Sequence, residues 1–298
     1  MLFFIFPLHA QPEQEFIDLF NYKRSTPFSF QIKETERHRN SFVHIININN
    51  DKLQKIEAYL IEPKSDGKFP VVIFQHGGNA DKRYFLKEAK ELSKKGVICL
   101  LVEAAWLRTI YINNILWAST SQYYRQGIID IQRSIDFLYS KENVDTSRIA
   151  FAGHSYGAQI GGILSGIEPR IKAFVLMSGT SNLTELLKQT DHPHIKQLRD
   201  SIQNDFDNWL EQMEPLNPIH YIKYSTAPIF LQFATNDEYD IDEVEAKNYV
   251  AAAKHVTEHV KFYMADHKLE NKKAEEDRIQ WLIKKLEPVA GIKSSIKP

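Results

Sequence analysis

Five short runs of this chain are apolar almost without a break: PVVIFQ from Pro70, VICLLV from Val97, RIAFAG from Arg148, KAFVLM from Lys172 and PIFLQF from Pro228. A strand with one wet face alternates apolar and polar residues. These runs do not, so both of their faces must be covered, as happens in a parallel sheet between two layers of helices. Helical patterns fall between them. Asp81 to Lys95 carries Tyr84, Phe85, Ala89 and Leu92 at helical spacing and stops at Gly96. Ser119 to Ser140 puts Ile128, Ile131, Ile135 and Leu138 on one face, and Ile241 to Lys254 and Asn271 to Leu286 are two further helices. EHVKFYMADH, ending at His267, reads as a last strand. Residues 28–62 alternate instead, with a turn at Asn49-Asn50-Asp51, and predict antiparallel strands at the start of the sheet. The fold class expected is α/β, a mostly parallel sheet with helices on both faces.

One stretch breaks the rhythm. About fifty residues separate the run ending near Ser178 from the one starting near Ala227. Asn182 followed by Glu185 resembles a capping box, and Ile195, Leu198, Ile202, Phe206, Trp209 and Met213 make a helical stripe. The insert, at about 180–226, is too short for a core of its own and is read as a small helical lid on one domain spanning 21–290. Phe206 and Trp209 are expected to face whatever the lid covers and to shape what it admits. Residues 1–10 read either as an export signal, because Leu2 to Leu8 is almost wholly apolar and His9-Ala10 precedes Gln11, or as a plain disordered or packed terminus, because no Lys or Arg comes first. The run is too short to span a bilayer, and no transmembrane span is expected. With 37 basic and 38 acidic residues, the net charge of −1 offers no field for nucleic acid. The single cysteine, Cys99, lies in an apolar run and is expected to be buried packing.

Between the strand at Arg148–Ala152 and a helix from Ala158 to Leu164 stands Gly153-His154-Ser155-Tyr156-Gly157. G-x-S-x-G on a strand-to-helix turn holds the serine in strained geometry with its hydroxyl clear of the sheet. Glycines on either side let the turn be sharp. A serine hydroxyl is a poor nucleophile at neutral pH. It needs a base, and the base needs an orienting group. Such groups sit past the carboxyl ends of strands. Asp237 closes the strand that starts at Pro228, and His267 closes the last strand.

Other candidates fit less well. His255-Val256-Thr257-Glu258-His259 matches H-x-x-E-H but straddles a helix end and a strand start, so its histidines should not converge on a metal. His192 and His194 lie in the lid and are expected to be solvated. His154 should point away on the turn, and His76 should support the loop beside it. Glu238, Asp240 and Asp242 come too late after the strand to be preferred over Asp237. Trp106, Tyr111, Trp117, Tyr123 and Tyr124 either line an apolar acyl pocket or are ordinary packing.

Together QHGG, GHSYG, ATNDEYD and MADHKL, spread over residues 56–287, resemble the α/β-hydrolase family, and within it the dienelactone-hydrolase-like and prolyl-oligopeptidase-like catalytic domains. The resemblance implies an α/β-hydrolase fold. It further implies attack by Ser155 on an acyl carbon, with His267 as general base and then acid, and Asp237 fixing its tautomer. The backbone N–H of Tyr156, with one near Gly77 or Gly78, would form the oxyanion hole. The expected substrate is a small acyl compound, with no cofactor and no metal. The nucleophile departs from the cysteine of dienelactone hydrolases proper, and there is no room for the propeller of prolyl oligopeptidases. Substrate therefore does not transfer. The expected function is a serine hydrolase acting on a carboxylic ester or related acyl bond. A small exopeptidase or amidase with the same triad, an acyltransferase and a non-catalytic binding scaffold remain as alternatives, and the oligomeric state is open.

Overall fold

The computed structural model describes residues 11–24, 29–50, 54–78, 80–108, 120–189, 193, 196, 199–200 and 205–287. The export-signal reading of residues 1–10 lies outside them, as do Asp51, Tyr111, Trp117, His192, His194, Ile195, Leu198 and Ile202.

Among the described residues the strands are β1 (Ser29–Arg37), β2 (Ser41–Asn50), β3 (Gln54–Pro63), β4 (Phe69–Gln75), β5 (Ile98–Val102), β6 (Val144–His154), β7 (Ala173–Met177), β8 (Ile229–Ala234) and β9 (Thr257–Tyr263). They form one sheet in the order β1-β2-β3-β5-β4-β6-β7-β8-β9. The alternating strands β1 to β3 pair antiparallel and join β5 antiparallel, whereas β5, β4, β6, β7, β8 and β9 pair in parallel. The fold is α/β, and the unbroken apolar runs are the parallel strands β4 to β8.

Successive residues of a strand face opposite sides, and the packing follows that period. On β4, Val71 and Ile73 join the core formed with Ile128, Ile131, Ile135 and Ile160, while Val72 and Phe74 join the core formed with Phe85, Ala89, Leu92 and Leu282. Cys99 is fully buried in the second core. At the outer edge, β1 is exposed along its whole length, including Phe30 and Ile32.

The helix expected from Asp81 starts at Leu86. Asp81 Oδ1 accepts the N–H of Arg83 at 2.8 Å, a side-chain-to-backbone turn that delays the helix. Asp242 Oδ1 caps the helix Glu243–Ala253 in the same way, and Asn271 caps Lys272–Leu286. In the insert, Asn182 Oδ1 accepts the N–H of Glu185 at 3.1 Å and opens the helix Leu183–Gln189. The return half of a capping box is missing there, because Glu185 turns to Gln189 instead.

The chain runs from β4 outward to β5, then crosses back to β6 on the other side of β4. This reversal opens a crevice between the carboxyl ends of β4 and β6, where ligands of open α/β sheets bind. Gln75-His76-Gly77-Gly78 leaves β4 there, and His154-Ser155 leaves β6.

Candidate active site

Ser155 has φ 53° and ψ −114°, a conformation that a residue with a Cβ adopts only when its surroundings impose it. Its N–H donates to Met177 O at 2.8 Å, and its carbonyl accepts from Ala158 at 2.9 Å as the helix Tyr156–Ile167 begins. The flanking glycines are required by close approach. A Cβ on Gly153 would stand 2.1 Å from Gly157 O, and one on Gly157 would stand 2.1 Å from Gln75 O on β4. Both clashes are with backbone, which cannot swing aside.

The structure brings Ser155, His267 and Asp237 together. Neither partner ends a strand as the sequence suggests, for β8 stops at Ala234 and β9 at Tyr263. The side chains reach back from the loops beyond. His267 Nδ1 lies 2.8 Å from Asp237 Oδ2, and its Nε2 lies 2.8 Å from Ser155 Oγ. With Asp237 an acceptor only, Nδ1 carries the hydrogen, and Nε2 is left to accept the serine proton. The Asp237 side chain is 1% exposed, and its Oδ1 accepts the N–H of Tyr239 at 2.9 Å. Glu238, a rival acid in the sequence, accepts the backbone N–H of His267 at 3.0 Å.

His154 does not simply point away. It is buried, its ring centroid lies 5.1 Å from that of His267, and its Nε2 is 2.7 Å from the carbonyl of His267. That contact requires the hydrogen on Nε2 and leaves Nδ1 as a bare acceptor, buried and without a partner. Gly77 lies against it, since a Cβ there would stand 2.7 Å from Nδ1 and 3.1 Å from Ser155 Cβ. Gly78 is different: it is exposed, and a Cβ there would meet nothing within 4 Å. His76 fastens the same loop, with Nδ1 2.8 Å from Gly77 O and Nε2 accepting the N–H of Ala104 at 3.1 Å.

Burial, with the neighbouring His267 charge second, pushes the His154 pKa from an ordinary 6.5 down to about 3, against a smaller opposing pull from the His267 carbonyl. Below about pH 6.5 the unfolded chain takes up a proton that the folded one refuses, so stability falls as pH drops from about 6.5 towards 3. The fall in urea midpoint between pH 7 and pH 4.5 should therefore be smaller in His154→Gln than in the unaltered protein. Equal falls would mean that this histidine carries none of the acid sensitivity.

A pocket of about 420 Å³ opens over Ser155 and His267. The insert lines it with Leu183, Leu186 and Leu187, not with the expected Phe206 and Trp209. Trp209 is buried instead among the core residues around Met213 and Leu216, because a helix stripe that wide packs inward. Of the expected aromatic lining, Tyr124 is present, its O–H donating to Gln159 Oε1. Trp106 packs edge-on against Tyr156 with centroids 4.2 Å apart, and Tyr123 gives its carbonyl to Tyr156 O–H at 3.4 Å. Beside the leucines and Tyr124, Glu238, Lys268 and Glu270 stand at the pocket. The residues of the H-x-x-E-H string go elsewhere: His255 Nε2 binds Ser225 O at 2.9 Å, and the His259 ring packs edge-on against Phe230.

The prolyl oligopeptidase family matches residues 117–287, a span that holds Ser155, Asp237 and His267. The chain belongs to that family. An acetyl esterase of Xylanibacter ruminicola is 22% identical to the chain over 239 residues, 72% of this chain and 53% of the esterase. The chain thus spans about half the length of that curated relative. Among solved structures, an acetyl xylan esterase of Thermoanaerobacterium sp. superposes with a TM-score of 0.74 at 14% identity, covering 94% of this chain and 96% of that one. An acylaminoacyl peptidase of Pyrococcus horikoshii has a TM-score of 0.62 at 17% identity, covering 85% of this chain and 48% of that one. Esterases and a peptidase share this architecture, so the fold alone does not choose the acyl bond. Among the described residues, no helix is long and apolar enough to cross a membrane.

Proposed function

We propose that this protein is a serine hydrolase that cleaves carboxylic esters of short acyl groups, acetyl esters first among them, through an acyl-enzyme on Ser155. The observation that carries the reading is the 2.8 Å approach of Ser155 Oγ to His267 Nε2 while Asp237 holds Nδ1 at 2.8 Å. The acetyl esterase relative and the small, leucine-walled pocket support the choice of substrate.

In this reading His267 takes the hydroxyl proton as Ser155 Oγ bonds to the acyl carbon. The carbonyl oxygen becomes an oxyanion and accepts from the N–H of Tyr156, at the positive end of a helix, and from an N–H at Gly77 or Gly78. Gly77 is the better placed of the two, since it lies against Ser155. Each such donor is worth about 3–4 kcal/mol in the transition state. His267 then gives its proton to the departing alcohol. Water, activated by the same imidazole, releases the acid. The insert acts as a lid over the acyl group.

A panel of p-nitrophenyl esters from acetyl to octanoyl, run beside aminoacyl anilides, tests this reading. The acetyl ester should turn over fastest and the anilides should be nearly inert. Anilides outpacing esters would favour the exopeptidase reading, for which Glu238 and Glu270 at the pocket could receive a substrate ammonium. No turnover of either would return the chain to a binding scaffold. Leu186→Ala should raise the octanoyl-to-acetyl ratio of kcat/KM by about tenfold, the lower end of what apolar pocket discrimination supplies. An unchanged ratio would mean that the insert is structural only.

A further inference from the structure

His267 stands on neither a strand nor a helix, since β9 ends at Tyr263 and the next helix begins at Lys272. A base in such a loop keeps its place only if its main chain is held. Three side chains hold it. Glu238 Oε2 accepts the His267 N–H at 3.0 Å, His154 Nε2–H donates to the His267 carbonyl at 2.7 Å, and Tyr84 O–H donates to the next carbonyl, that of Lys268. The last two are themselves one unit. Tyr84 and His154 stack with centroids 5.1 Å apart and 24° between their planes. Immediately beyond the held carbonyls, Leu269 has φ 53°, a strained value for leucine that persists only where neighbours enforce it.

We propose that Tyr84 and His154 form a stacked clamp that positions the main chain of His267, and so sets the distance from the base to the nucleophile. The inference rests on His267 being the base. His154 precedes Ser155 in the chain, so one turn fixes the serine with its own backbone and the histidine loop with its neighbour's ring. The two hydrogen bonds fall on adjacent carbonyls, those of His267 and Lys268, and so hold two consecutive peptide units, where a single bond would leave the second free to pivot. Both residues act through His267 rather than on the acyl carbon, and they are positioning residues. Displacing a catalytic group by about 1 Å costs on the order of 10²-fold in rate, which is the scale the clamp protects.

Tyr84→Phe keeps the stacked ring and removes one donor. His154→Leu removes the other, and His154→Gln can restore it. The readouts are kcat and KM for p-nitrophenyl acetate and the rate of Ser155 labelling by a small fluorophosphonate. His154→Leu should lower kcat and labelling by about 100-fold and Tyr84→Phe by about tenfold, with KM changing less than twofold. His154→Gln should recover most of the loss. If His154→Leu does not fold, Tyr84→Phe against the unaltered protein decides the matter, since it alters no packing. Unchanged kcat and labelling in Tyr84→Phe, or losses confined to KM, would overturn the clamp. His267→Ala run alongside separates the two claims: if it stays active the base reading fails, whereas an inactive His267→Ala with fully active clamp variants removes the clamp alone.

Discussion

Alanine in place of His267 is expected to lower kcat for an acetyl ester by about 10⁴-fold or more while the protein stays folded. The imidazole is the only group placed to take the Ser155 proton in the site as described, with Nε2 at 2.8 Å. Asp237→Asn should be similarly severe, at about 10⁴-fold. An asparagine whose amide donates to Nδ1 would force the hydrogen onto Nε2, and Nε2 could then no longer accept from serine. Because the three groups act as a unit, the double variant should be scarcely worse than either single one. Steady-state kinetics on the two single variants and the double, with circular dichroism to establish folding, checks this. Losses that multiply, or an active His267→Ala, would place the base elsewhere.

Gly157→Ala should be among the most damaging small substitutions in the chain. Its new methyl would stand 2.1 Å from Gln75 O, and β4 and the helix Tyr156–Ile167 would have to part to admit it. Overpacking against fixed backbone costs about 3 kcal/mol or more, and here it also shifts the turn that carries Ser155. Gly153→Ala meets the same obstacle at Gly157 O. Gly78→Ala supplies the contrast, for it meets nothing within 4 Å and should stay within about 0.5 kcal/mol of the unaltered protein. Urea midpoints of the three variants measure the difference. A Gly157→Ala protein as stable and active as Gly78→Ala would mean that the elbow is looser than described.

Much of this architecture is legible in the sequence because its signals are local. An apolar run such as VICLLV states that both faces are covered, wherever in the sheet it comes to lie. The turn around Ser155 is legible because its glycine spacing is itself a pattern in the sequence, although the contact that Gly157 answers to is Gln75 O on β4, far away in the chain. Asp237 and His267 were reachable through chain order and strand ends, although both lie some residues past those ends. What the sequence hid depends on contacts between distant segments. Tyr84 reads as one more apolar position of a helix, and only the folded chain carries its hydroxyl to Lys268, 184 residues away. Glu238 reads as a spare acid until the His267 N–H meets it. Trp209 reads as a lid residue because its stripe is amphipathic, and amphipathicity does not say whether the apolar face turns to a substrate or to the core. The pocket instead took its leucines from the helix Leu183–Gln189.

In the proposed reaction Ser155 Oγ is the atom that carries the acyl group. Incubating the full chain with a fluorophosphonate and mapping the adduct by peptide mass spectrometry tests it most directly. The phosphonyl group should appear on the peptide containing Ser155, once per chain, with esterase activity lost in parallel, and Ser155→Ala should take up none. Labelling that persists in Ser155→Ala, or an adduct on another residue while activity disappears, would contradict it.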